Sequence, residues 1–106
     1  MSKSPIITIE PDRIYNSHAG EILQSEFMEP LGLSEAALAD ALAIDPARIR
    51  SVIAGLSRMD GELDLRLARY FRMSEGFFLG LQIDYELLEA KRILNGDLDR
   101  ILPRAA

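Results

Sequence analysis

Leu33-Ser34-Glu35-Ala36-Ala37-Leu38-Ala39-Asp40-Ala41-Leu42-Ala43-Ile44-Asp45-Pro46-Ala47-Arg48-Ile49-Arg50-Ser51-Val52-Ile53-Ala54-Gly55 is the stretch whose reading decides the fold. Ser34 is a good N-cap for a helix over Glu35–Leu42, with an apolar stripe of Leu38, Ala41 and Leu42. Ala43-Ile44 leaves room only for a tight connection. Asp45 followed by Pro46 starts a second helix, because an acceptor side chain sits at the cap and proline takes the first helical position. This helix is expected to reach Ala54 and to stop at Gly55, which adopts φ > 0 without strain. Helices joined by so few residues must cross closely, and the small side chains of Ala39 and Ala43 allow it. Leu38, Ile44, Ile49 and Val52 or Ile53 then form the core beneath the turn.

Such a rigid corner projects its second helix from the surface, which is what a helix-turn-helix needs physically. With Ile49 and Val52 or Ile53 inward, Ala47, Arg48, Arg50, Ser51 and Ala54 populate the other faces of that helix. Arginine matches guanine edges and phosphate, serine bonds to either, and alanine permits close approach or touches a thymine methyl. The amide ends at Ser34 and Asp45 add phosphate contacts. A plain αα-corner in a helical bundle has the same periodicity, so the local pattern leaves both readings open.

Outward from this stretch, a helical pattern begins at Ser17, carries Ile22, Leu23 and Phe27, and ends at Pro30 and Gly32. Asp60 is expected to cap a fourth helix reaching Phe71, with Leu63, Leu67, Ala68 and Phe71 inward. Ser74 is expected to cap a fifth, in which Phe77, Phe78, Leu81, Tyr85 and Leu88 recur at helical spacing. Gly76 and Gly80 leave its continuity to Leu94 open, and Asn95-Gly96 reads as its terminator. Five helices with short connections make an all-α domain. The expected organisation is an arm over 1–16, where Pro5 and Pro11 block helix, a domain over 17–95, and a flexible polar tail over 96–106.

The bulk properties agree with one domain: 106 residues, 48% of them hydrophobic. There is no cysteine, which excludes disulfides and thiolate metal sites and suits a cytoplasmic protein. No secretory leader is visible in Met1–Ile9, and no run approaches the roughly 20 apolar residues of a membrane helix. The net charge of −5 argues at first sight against nucleic acid. Between Ser34 and Arg72, however, six arginines (Arg48, Arg50, Arg58, Arg66, Arg69, Arg72) balance six acids (Glu35, Asp40, Asp45, Asp60, Glu62, Asp64), so the acidic excess lies outside this segment.

Nothing points to catalysis. His18 is the only histidine and sits beside a helix start, where capping is the expected role. Asp84, Glu86 and Glu89 read as a solvated helical face rather than a cation site, and the serines lack a neighbouring base. No glycine-rich phosphate loop is present. The expectation is a non-enzyme with no metal and no cofactor.

Gly20-Glu21-Ile22-Leu23, Glu29-Pro30-Leu31-Gly32-Leu33-Ser34, Leu65-Arg66-Leu67-Ala68-Arg69-Tyr70-Phe71 and Phe77-Phe78-Leu79-Gly80-Leu81-Gln82-Ile83-Asp84-Tyr85, arranged around the helix pair, resemble the HigA/VapI antitoxins. These belong to the XRE (Cro/CI-like) helix-turn-helix superfamily. The resemblance runs without a gap over about residues 17–90, and its second half is far more specific than a generic helix pair. It implies a five-helix lambda-repressor-like domain, forming a homodimer that binds double-stranded operator DNA in its own promoter. It also implies neutralisation of a HigB-like toxin, a ribosome-dependent mRNA interferase. Carried onto this chain, the DNA contacts are Ser34, Glu35, Asp45, Pro46, Ala47, Arg48, Arg50, Ser51, Ala54 and Arg58, and the dimer contacts are Phe78, Leu81, Tyr85 and Leu88.

The chain departs from the family pattern at several points. Ala43 stands where glycine is usual in the turn, Glu35 where glutamine is usual, and Gly55-Leu56-Ser57-Arg58 where the stretch is usually basic. His18-Ala19-Gly20-Glu21 replaces an opening His-Pro-Gly-Glu. These changes weaken the electrostatic grip on DNA. Two rival readings therefore stand beside the antitoxin: a regulator with no toxin partner, and an interaction module that has lost DNA binding.

Overall fold

A computed structural model describes residues 16–105, so the expected arm lies outside the described residues except for Asn16. Five α-helices follow one another: α1 (Ala19–Ile22), α2 (Glu35–Leu42), α3 (Pro46–Ile53), α4 (Gly61–Phe71) and α5 (Phe77–Leu94). No strand occurs among the described residues. The all-α expectation therefore holds, and α5 runs unbroken to Leu94 before Asn95 turns left-handed at φ 42°. Beyond it the tail forms a 3-10 turn over Asp97–Arg100.

α1 starts on a reciprocal cap. The Glu21 amide donates to His18 Nδ1 at 3.3 Å, and the His18 amide donates to Glu21 Oε1 at 3.2 Å. Two orphan donors of the first turn are thereby satisfied. Gly20 is required by packing, since a Cβ there would lie 2.0 Å from the Val52 carbonyl oxygen of α3. The helix then widens into a π-helical segment, Leu23–Met28, and tightens into a 3-10 turn, Glu29–Leu31. This widening has a consequence for the core: residues four and five apart share a face, so Leu23, Phe27 and Met28 turn inward together. Ile22, expected in the stripe, is only partly buried.

α2 and α3 meet as the corner expected from the sequence. Leu38, Ile49 and Val52 are buried beneath it, and Ile44 and Ile53 pack at its edge. One expectation is corrected: Ala41 is exposed, and Ala39 takes the inward place beside Leu38 and Leu42. The reason is that α2 packs against both α3 and α4, which centres its buried face between Leu38 and Ala39. The turn itself is held by Ala43 in the left-handed region, at φ 60°. A non-glycine residue there costs roughly 1 kcal/mol. Bonds on both sides of the turn oppose that cost: the Ile44 amide donates to the Ala39 carbonyl at 3.0 Å, and Arg66 Nη1 donates to the Leu42 carbonyl at 2.7 Å.

The core is completed by Met59, Leu63, Leu67 and Phe78, with Phe27, Phe71 and Phe77 ringed around Phe78. The start of α5 departs from expectation. Ser74 does not cap it; the helix begins at Phe77 behind Gly76, whose φ is 93°. The cap comes instead from buried Asp64 of α4, which accepts from the Gly76 amide at 2.6 Å and the Leu79 amide at 2.8 Å. A carboxylate at a helix N-terminus also faces the positive end of its dipole.

Candidate nucleic-acid interface

The candidate surface is built by the first turns of α2 and α3. Both starts are shaped by the side chains just before them. Ser34 Oγ accepts from the Ala37 amide at 3.0 Å, and Asp45 Oδ1 accepts from the Ala47 amide at 2.9 Å. These two side chains are therefore engaged in holding the helix ends. Pro46 takes the first position of α3 and leaves Ala47 exposed at its tip.

The two arginines of α3 differ in what holds them. Arg48 Nη2 lies 2.6 Å and 2.7 Å from the carboxylate oxygens of Asp60, and Arg48 Nη1 lies 3.5 Å from Glu62. Its side chain is 30% exposed and is drawn toward the start of α4. Arg50 is 64% exposed and bonds through Nε to Glu35 Oε1 at 3.1 Å, across the corner to α2. Thus each positive charge of α3 is balanced by an acid from a neighbouring helix or its cap. Of the two, Arg50 offers more free guanidinium to a ligand.

The remaining residues expected at the interface sit in different situations. Ser51 shares a hydrogen bond with Ser57, their Oγ atoms 2.7 Å apart, which ties the end of α3 to the following loop. Ala54 is exposed at the α3 terminus. Arg58 is drawn to α5, with Nε 2.7 Å and Nη2 3.1 Å from the Glu86 carboxylate. That hydrogen bond, joined by one from Gln82, holds the Glu86 carboxyl below its ordinary pKa.

On α5, the structure corrects one expected dimer contact. Phe78 is wholly buried in its own chain and has no surface to offer a second copy. Leu81, Tyr85 and Leu88 are partly buried, Tyr85 lying edge-on to the His18 ring. Side chains on the opposite side of α5 are the open ones: Ile83, Leu87 and Ala90 are exposed, and half-buried Leu94 follows in the same phase. Gln82 is buried, accepting from the Met59 amide at 3.2 Å and donating to Glu86 at 2.9 Å. Neither Gln82 nor Asp64 was legible as a structural polar residue, since each is paired with backbone far away in the chain.

No protein-family model matches the chain. Known proteins do. Virulence-associated protein I of Dichelobacter nodosus is 39% identical over 75 residues, covering 71% of this chain and 69% of that protein. An HTH-type transcriptional regulator of Haemophilus influenzae is 34% identical over 86 residues, 79% of this chain and 80% of its own length. The antitoxin HigA of Pseudomonas aeruginosa, solved with the higBA promoter, superposes with a TM-score of 0.77 at 28% identity, covering 87% of this chain and 100% of that one.

The chain belongs to the HigA/VapI family of helix-turn-helix proteins.

α3 is the second helix of the helix-turn-helix, and α2 packs against it. In this chain Glu35, Asp60 and Glu62 each approach an α3 arginine.

Proposed function

We propose that this HigA/VapI protein is a sequence-specific autorepressor that binds its own operator as a homodimer and neutralises a HigB-like mRNA interferase toxin. The observation that carries the DNA half is the corner itself. It holds α3 with Ala47, Arg50 and Ser51 outward, in a chain that superposes on a HigA solved with promoter DNA. The homodimer is supported by the exposed Ile83–Leu87–Ala90 stripe of α5, a helix side with no partner in the described chain. Its dimer residues are then Ile83 and Leu87, while Leu81, Tyr85 and Leu88 lie on the opposite, partly buried side of α5. The DNA contacts are Ser34, Glu35, Asp45, Pro46, Ala47, Arg48, Arg50, Ser51, Ala54 and Arg58, with Arg50 the principal base or phosphate reader.

For phosphate to engage α3, the Arg48–Asp60 and Arg50–Glu35 pairs must open or share their cations. The acids therefore lower overall affinity, and binding falls steeply with salt. Electrophoretic mobility shift on the upstream region at rising salt tests this reading. Arg50→Ala is expected to weaken binding by about 1–3 kcal/mol. Absence of a shift at low salt would overturn the repressor reading and favour the interaction module that the acid-paired arginines also suit. The toxin half is tested separately: co-expression with a HigB-like toxin from the same operon should restore growth, and continued toxicity, or an operon without such a reading frame, would remove the antitoxin role.

A further inference from the structure

The arginines of α4 contrast with those of α3. Arg66 is bonded to Glu62 and the Leu42 carbonyl, but the side chains of Arg69 and Arg72 make no hydrogen bond or ion pair with any described residue. Both line an open groove of about 580 Å³ along the end of α4, floored by Leu65, Ala68 and Met73, with Glu75 at one edge. Leu65 is 51% exposed, so the groove joins an apolar floor to unpartnered positive charge.

The far end of the molecule carries the complement. The 3-10 turn Asp97–Arg100 and the residues after it expose Leu98, Ile101 and Leu102. Asp99 has no ion pair, and Asp97 has only a loose one with Arg100, at 3.8 Å. This segment does not reach its own groove. The groove ends at Glu75, beside the start of α5, and α5 is 18 residues long. At 1.5 Å per residue that is about 27 Å, and none of Leu98, Ile101 and Leu102 lines the groove of its own chain.

We propose that the groove receives the Asp97–Leu102 segment of a second copy of this chain. Leu98 and Ile101 lie against Leu65 and Met73, and Asp97 and Asp99 face Arg69 and Arg72. A two-fold axis across α5, pairing its exposed Ile83–Leu87 stripe antiparallel, sets the end of each α5 beside the start of the other. Each tail is then delivered to the opposite groove, and both exchanges form at once. The inference rests on the homodimer reading and adds to it the surface that orients the two copies.

Sedimentation equilibrium of the full chain, with circular dichroism as the folding control, tests it. The double variant Arg69→Glu/Arg72→Glu is expected to weaken the dimer at least tenfold. Adding Asp97→Arg/Asp99→Arg, which restores opposite charges across the contact, should recover most of that loss. Leu98→Ser/Ile101→Ser, far from the core, should weaken the dimer as well. A wild-type dimer whose constant none of these variants moves overturns the groove and leaves the α5 dimer standing. Weakening by the arginine variant that the charge swap does not repair overturns the tail as occupant and points to a different acidic partner. A wild-type chain that sediments as a monomer at tens of micromolar overturns the homodimer reading itself.

Discussion

α2, α3 and α4 begin on Ser34, Asp45 and Asp60, each the residue immediately before its helix, whereas α5 begins on Gly76 and borrows Asp64 from α4. A cap carried by the preceding residue forms as soon as its own helix does, and so it strengthens the helix even before the chain packs. The borrowed cap exists only when α4 and α5 already lie together, and it holds them in that relation. The α2–α3 corner is thus assembled from locally specified pieces, while the α4–α5 junction depends on a buried carboxylate acting across the fold. The two halves are stabilised by different means.

The largest expected effect of breaking this contrast is at the borrowed cap. Asp64→Ala leaves the Gly76 and Leu79 amides without their acceptor. It should lower stability by about 2–4 kcal/mol in urea unfolding. A loss under 1 kcal/mol would mean that the junction is held by apolar packing alone. The preceding-residue caps should each matter less. Ser34→Ala and Asp45→Ala are expected to cost about 1 kcal/mol apiece, and to add, because each acts on its own helix. Strong non-additivity would show the corner to be as cooperative as the junction. The smallest effect runs the other way: Ala43→Gly relieves the left-handed alanine at φ 60° and should raise stability by up to about 1 kcal/mol. A loss of stability there would show that the entropy of glycine in the unfolded chain outweighs the strain.

The same contrast explains what was legible beforehand. Ser34, Asp45-Pro46 and Asp60 announce their helices because cap and helix are adjacent in the chain. Leu38, Ile49, Val52, Leu63 and Leu67 follow from helical spacing, and all are buried. Ser74 misled for an instructive reason: it occupies the position where a preceding-residue cap would be, but Asp64 already supplies the acceptor. The π-helical widening in Leu23–Met28 was likewise hidden, because an extra residue per turn leaves no mark on composition. The family resemblance implies Phe78 as a dimer contact, but its ring lies in the middle of the Phe27–Phe71–Phe77 cluster, a placement that only packing sets.

At the candidate interface the division is sharper. Arg48 and Arg50 stand at positions open to DNA by helical phase alone. Which acids they meet depends on loops that bring Asp60 and Glu35 within bonding distance, 12 and 15 residues away in the chain. By itself the sequence determined an all-α chain with a tight α2–α3 corner, its α2–α4 boundaries and most of its core, since caps and periodicity act over one or two turns. Only the tertiary structure decided how α5 starts, which arginines are neutralised and which remain unpaired, because those outcomes depend on charges and amides that meet after the helices have packed.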